Sequence, residues 1–194
     1  MHMSLMTGLP VPLAAVPEAV ALARHDGEGS FAALVARFQP LVFRWATALS
    51  DDGDDAEDIV QEVFVSVHRT LSGYRGDGPF EGWLYRITRR TAMRARQRNI
   101  RRVTPAAESV YLTDPGARID RQRAVALIRT IAATLPLRQR EVFMLCDLEG
   151  RTPADAAGML EMKDVSVRAS LFKARVAIRR SILATHPFYR ESSG

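Results

Sequence analysis

The sequence predicts an all-α protein of two small helical domains joined by a flexible linker. Three observations predict it. Every long segment repeats its apolar residues at helical spacing, and none alternates as a strand. That periodicity lapses from Val103 to Asp120, a polar stretch punctuated by Pro105, Pro115 and Gly116. An apolar fraction of 47 % over 194 residues supplies real cores and argues against general disorder. The boundaries follow as a loose tail over 1–17, a domain over 18–102, the linker over 103–120, a second domain over 121–186 and a tail over 187–194.

In the first domain, Ser30 caps a helix whose stripe is Phe31, Leu34, Val35, Phe38, Val42, Trp45 and Leu49, with Pro40 expected to bend or break it. An acidic run then opens a second helix with Ile59, Val60, Val63, Phe64, Val67 and Leu71 as its buried face. Ser72 to Pro79 reads as a loop, and Pro79 suits the first position of a third helix. On that helix Phe80, Trp83, Leu84, Ile87 and Thr91 share one face; Tyr85, Arg89 and Arg96 share the opposite one. The phase predicts Trp83 at least partly in the core and Tyr85 exposed with the arginines.

In the second domain, Ala124, Leu127, Ile128, Ile131 and Leu135 form a fourth stripe, and Pro136 opens a helix through Cys146 that Gly150 terminates. Thr152-Pro153-Ala154-Asp155 reads as a cap, a first-turn proline and a capping-box acid for a short helix ending near Leu160. A turn through Glu161 to Asp164 leads to a long last helix. Its inner stripe is Val167, Leu171, Ala174, Ile178 and Ile182; Arg168, Phe172, Lys173, Arg175, Arg179 and Arg180 point away. A short helix, a tight turn and a helix with a basic outer face make the helix-turn-helix pattern.

Charge narrows the function. The net charge is +5, and the cations are nearly all arginine, with Lys163 and Lys173 the two lysines. Arginine suits phosphate and guanine edges, although arginine richness also follows from a GC-rich genome. Polarity switches within one stretch: Asp51, Asp52, Asp54, Asp55, Glu57, Asp58 and Glu62 open it, and Arg86, Arg89, Arg90, Arg94, Arg96, Arg98, Arg101 and Arg102 close it. Cys146 is the single cysteine, so neither an intramolecular disulfide nor a thiolate metal cluster is expected. His2, His25, His68 and His186 show no ligand spacing, and no phosphate loop or nucleophile elbow occurs. No cofactor is expected. No apolar run approaches a membrane span, so a cytoplasmic protein without membrane insertion is expected.

Three constellations remain. Lys163, Ser166, Arg168, Ala169, Phe172 and Lys173 are placed to reach base edges, and Arg175 with Arg179 and Arg180 to hold phosphates, unless the face is simply solvated. The arginine run, with Tyr85 and Tyr74 or Trp83 for stacking, suits unpaired bases; a self-repelling helix end is the alternative. Asp58, Gln61, Glu62 and Val65 suit a basic partner helix, or else cap and solubilise their own helix. No base or nucleophile accompanies these carboxylates, so an enzyme is not expected.

The segment Asp55-Ala56-Glu57-Asp58-Ile59-Val60-Gln61-Glu62-Val63-Phe64 resembles the core-binding helix of bacterial extracytoplasmic-function sigma factors, the group 4 branch of the sigma-70 family. Tyr74-Arg75-Gly76 and Phe80-Glu81-Gly82-Trp83-Leu84-Tyr85-Arg86-Ile87 resemble their promoter-melting segment. Leu135-Pro136-Leu137-Arg138-Gln139-Arg140-Glu141-Val142-Phe143 and the helices after it resemble their promoter-binding domain. The likeness runs in order from Ser30 to Leu183 and implies a region 2-like bundle followed by a region 4-like helix-turn-helix domain. It implies a non-enzymatic transcription initiation factor that binds core RNA polymerase, recognises promoter DNA and helps melt it, with an anti-sigma factor as regulator. Asp58, Gln61, Glu62 and Val65 would then meet the polymerase clamp, and Tyr74, Arg75, Trp83, Tyr85, Arg89, Arg90 and Arg94 the opening DNA. The last helix would read the upstream element, and Glu108 and Asp114 of the linker would run toward the active-site channel. The sequence departs from the pattern at Pro153, Glu161 and Ser170, which bears on promoter specificity rather than fold. A stand-alone helix-turn-helix regulator is the rival; it accounts for the C-terminal half alone.

Overall fold

The computed structural model describes residues 20, 28–50, 55–100 and 121–185. The expected tails, Asp51 to Asp54, Arg101, Arg102 and the whole expected linker with Glu108 and Asp114 lie outside the described residues.

Seven α-helices occur among the described residues: α1 Glu28–Leu49, α2 Asp55–Thr70, α3 Phe80–Ile100, α4 Arg121–Ala133, α5 Leu137–Phe143, α6 Pro153–Leu160 and α7 Asp164–Thr185. A single 3-10 turn, Leu71–Gly73, follows α2, and a π turn, Met144–Leu148, extends α5.

The first three helices pack on one another. From α1 come Leu34, Phe38, Val42, Trp45 and Leu49, all buried; from α2 come Ile59, Val60, Val63, Phe64 and Val67; from α3 come Phe80, Leu84 and Ile87. Burying one such side chain contributes about 1.5–3 kcal/mol. That scale explains why α1 runs unbroken through Pro40: of the bend or break expected there, the break does not occur. A mid-helix proline costs about 3 kcal/mol, and the burial of these large side chains of α1 exceeds it. The carbonyl of Pro40 also accepts from Arg44 Nη1 at 3.3 Å. Helix α1 begins two residues before the expected cap, Ser30. At α3 the proline stands just outside: Gly82 N donates to the Pro79 carbonyl at 3.0 Å.

The last four helices build a second cluster from Ile131, Leu135, Val142, Phe143, Leu145, Ala156, Ala157, Met159, Val167, Leu171, Ala174 and Ile178. The buried Arg140 guanidinium donates to the carbonyls of Ala133 and Leu135, capping the end of α4 from inside. The expected capping box is present: Asp155 N donates to Thr152 Oγ1 at 3.1 Å and Thr152 N to Asp155 Oδ2 at 3.3 Å. Gly150 closes the π turn at φ 70°, as a glycine allows. Glu161 holds φ 54° in the turn between α6 and α7, the left-handed conformation that a β-carbon disfavours. Cys146 is half-buried, and burial, followed by the charge of Asp147, pushes its thiol up.

The two clusters are continuous, and their buried side chains form one hydrophobic core. Helix α6 packs on α3, and α5 packs on α1. Glu81 pairs with Arg151, Arg44 Nε lies 3.8 Å from Glu149 Oε1, and Arg86 Nε lies 3.7 Å from Glu161 Oε1. Glu141 is the inner contact. Its side chain is 2 % exposed and Oε1 accepts from Arg89 Nε, with the Tyr85 hydroxyl at 3.4 Å.

Candidate nucleic-acid interface

On α2 the apolar residues turn inward, which leaves Asp58, Gln61 and Val65 exposed on one face. Val65 is 50 % exposed there, an apolar side chain with no core to enter. Glu62 is half-buried at the edge and accepts from Arg98 Nη2 of α3 at 2.9 Å. The Glu62–Arg98 pair therefore ties the acidic end of the polarity switch to the basic end, while Asp58 and Gln61 stay exposed.

The loop before α3 is held by its own side chains. The Tyr74 hydroxyl donates to the Gly78 carbonyl at 2.5 Å, Arg75 Nε donates to Asp77 Oδ2 at 3.0 Å, and Gly76 supplies φ 83°. Tyr74, Phe80 and Trp83 form an aromatic cluster: the Tyr74 ring centroid lies 5.3 Å from both partners, and Phe80 lies 5.4 Å from Trp83. Tyr74 and Trp83 are half-exposed, so this cluster meets solvent.

Helix α3 corrects the expected phase. Tyr85, expected outside with the arginines, is 0 % exposed. Its ring meets Trp45 edge-on at 5.1 Å, and its hydroxyl faces Glu141. Burial, then the Glu141 charge, pushes the phenol well above its ordinary range. As a stacking platform Tyr85 is covered. Trp83, expected at least partly in the core, is half-buried and packs on it, with Arg90 and Arg94 exposed beside it. At about 100° per residue, positions 83, 90 and 94 fall within about 40° of one another. The physical reason is that α3 is clasped from two sides. Leu84, Thr88 and Ala92 are buried on a helix that packs on α1, α2 and α6, while Trp45 of α1 and Glu141 of α5 meet Tyr85, and Glu141 engages Arg89. Arg89 is tied to Glu141, and that bond leads the influences that raise its pKa. The aromatic-arginine surface thus consists of Tyr74, Arg75, Trp83, Arg90 and Arg94, without Tyr85 and with Arg89 engaged. The spacing 83, 90, 94 was a usable signal in the sequence; Glu141, 52 residues from Arg89, had none.

Lys163 just before α7 and, on α7, the expected candidates Ser166, Arg168, Ala169, Phe172, Lys173 and Arg175 are all exposed, the helical ones opposite the buried Val167, Leu171, Ala174 and Ile178. Two arginines there carry acids. Arg168 Nε donates to Asp164 Oδ2 at 2.6 Å. Arg175 grips Asp147 with two bonds of 2.8 and 2.6 Å, which raises its pKa.

Among the described residues no cluster of His, Cys, Asp and Glu is arranged to hold a metal ion. None of the described helices is long and apolar enough to cross a membrane.

Family models agree with this layout. Sigma-70 region 2 matches residues 34–102, and Sigma-70, region 4 matches residues 126–178. The ECF RNA polymerase sigma factor SigE of Mycolicibacterium smegmatis is 33 % identical over 159 residues, 79 % of this chain and 61 % of that protein. The RNA polymerase sigma-H factor of Pseudomonas aeruginosa is 28 % identical over 176 residues, 84 % of this chain and 90 % of that one. Two solved structures share the fold. CnrH, in complex with the cytosolic domain of CnrY, covers 88 % of this chain and 98 % of its own at 24 % identity and a TM-score of 0.66. RpoE from Bartonella quintana, in complex with the anti-sigma factor NepR, covers 79 % and 96 % at 21 % identity and 0.62. With region 2 over α1 to α3 and region 4 over the helix-turn-helix, this chain belongs to the sigma-70 family, in its extracytoplasmic-function branch.

Proposed function

We propose that this chain is an alternative sigma factor that binds core RNA polymerase, recognises promoter DNA and helps to open it. The observation that carries the reading is the separation of three exposed surfaces on one helical frame. Asp58, Gln61 and Val65 offer an acidic and apolar face to a basic helix of the polymerase. Trp83, Arg90 and Arg94, beside Tyr74 and Arg75, offer stacking and phosphate contacts to a separated strand. The outer face of α7 offers cations and apolar groups to the major groove. Each DNA surface is small, so promoter affinity arises from tethering both on one polymerase. One domain ending at 102 and another starting at 121 fit this division. The chain acts in the cytoplasm, and the chemistry of transcription belongs to the polymerase. An anti-sigma factor regulates it by covering the polymerase-binding or DNA-binding faces; RpoE of Bartonella quintana is held by such a protein.

The test pairs binding with transcription. Purified chain and core polymerase are expected to start transcription at a defined promoter. Asp58→Arg weakens polymerase binding by about tenfold or more, since it places like charges together, and spares DNA contacts. Binding to core polymerase no tighter than that of an unrelated basic protein rejects the reading.

A further inference from the structure

The outer face of α7 carries an apolar stripe. Val165 is 77 % exposed, Phe172 69 % and Val176 43 %, with the exposed Ala169 between them. At about 100° per residue, these four positions fall within about 60° of one another. The stripe lies opposite the buried Val167, Leu171, Ala174 and Ile178. Exposed apolar surface of this kind on a helix points to a partner.

The flanks state the chemistry of that partner. Arg168, Arg175 and Arg179 run along one side of the stripe; Ser166, Lys173 and Arg180 run along the other. A partner that sets apolar groups between two rows of negative charge fits them. The major groove of duplex DNA does so, with thymine C5 methyls on its floor and phosphates along both rims. From Val165 to Val176 the helix rises about 16 Å, close to the length of five base pairs. Two of the arginines beside the stripe carry an acid in the free chain, through exposed pairs that DNA phosphates can replace. Asp164 holds Arg168 at 2.6 Å, and Asp147 holds Arg175 through two bonds. What the stripe itself presents toward the groove floor is apolar.

We propose that Val165, Ala169 and Phe172 read thymine methyl groups, and that specificity at the upstream promoter element is set by these methyls rather than by arginine contacts to guanine. The proposal rests on α7 binding duplex DNA, as above.

The test uses one chemical change. Duplexes selected by the full chain from a random 20-bp pool are remade with deoxyuridine in place of thymine, which removes only the C5 methyl. Affinity is expected to fall roughly fourfold for each methyl contacted. Phe172→Ala weakens the thymine duplex by a similar factor and shrinks the thymine-to-uracil ratio toward one. Because Phe172 is exposed, the variant keeps its core, checked by thermal unfolding. Lys173→Ala weakens both duplexes equally and leaves the ratio intact. Equal affinity of the parent for thymine and uracil duplexes overturns the proposal, as does a ratio unchanged in Phe172→Ala. If the chain selects no duplex at all, alone or with core polymerase, the reading of α7 as a DNA-binding helix falls first.

Discussion

Glu141→Gln tests the contact between the two halves. The carboxylate is 2 % exposed and holds Arg89, and the Tyr85 hydroxyl lies 3.4 Å away. The amide keeps the size and removes the charge. A hydrogen bond to a charged group contributes about 1.5–3 kcal/mol. Arg89 is 39 % exposed, so water recovers part of its solvation, and the loss sits nearer the lower end of that range. The relief from no longer burying a charge offsets some of it as well. Hydrogen-bonding loss at Tyr85 is small, because 3.4 Å is long for an O–H donor. The expected destabilisation is about 1–2 kcal/mol. Urea unfolding at pH 7, followed by tryptophan fluorescence, measures it, since Trp45 lies edge-on to Tyr85 at 5.1 Å. The midpoint should fall at unchanged slope. A cycle with Arg89→Gln isolates the pair, and a coupling energy of about 1 kcal/mol is expected. Additive single changes, or a Glu141→Gln variant within about 0.3 kcal/mol of the parent, would refute the assignment of Glu141 as the tie between the halves.

Glu161→Gly relieves the left-handed turn residue and is expected to stabilise the chain by about 0.5–1 kcal/mol in the same assay, since the pair it gives up with Arg86 is exposed. Glu149 carries a pH dependence: burial raises its carboxyl, opposed by the Trp45 indole N–H, Arg44 and Arg151 and reinforced by Glu81. The folded state then binds more protons than the unfolded one, so stability falls as pH rises from the ordinary carboxylate range through the raised value. Glu149→Gln should therefore raise the melting temperature at pH 7 and lose that gain at pH 4; an equal gain at both pH values contradicts the burial argument. Trp83→Ala should weaken single-strand binding by about 1–3 kcal/mol, whereas Tyr85→Phe should leave it unchanged, measured by fluorescence titration with an unpaired oligonucleotide.

The sequence carried most of the helices, because each has one apolar stripe facing one partner. The faces of α2 and α7 were readable at residue level for that reason: Ile59, Val63 and Val67 fix where Asp58 and Gln61 point, and Val167, Leu171 and Ala174 fix where Phe172 points. The π turn after Phe143 had no such signal, since it alters bonding without altering composition. Pro40 was legible as a helix breaker but not as one outweighed by the packing of α1. Helix α3 failed for a different reason. A helix covered on two sides has no single stripe, and a phase drawn through Phe80, Trp83 and Leu84 places its centre too close to Trp83.

That two-sided burial of α3 also bears on how the molecule meets DNA. The second cluster covers Tyr85 and engages Arg89, yet Trp83, Arg90 and Arg94 stay on the remaining third of the helix. The outer face of α7 is likewise open while α6 packs on α3. Neither surface must be uncovered by parting the halves. What contact between the halves fixes is the spacing and angle between the two surfaces, and a promoter demands one particular spacing. Glu141 and Arg89 hold that geometry in the described arrangement. That tie is one contact among several: Glu81 pairs with Arg151, α6 packs on α3 and α5 on α1, so a promoter that demands another spacing must overcome this whole interface and not the Glu141–Arg89 bond alone.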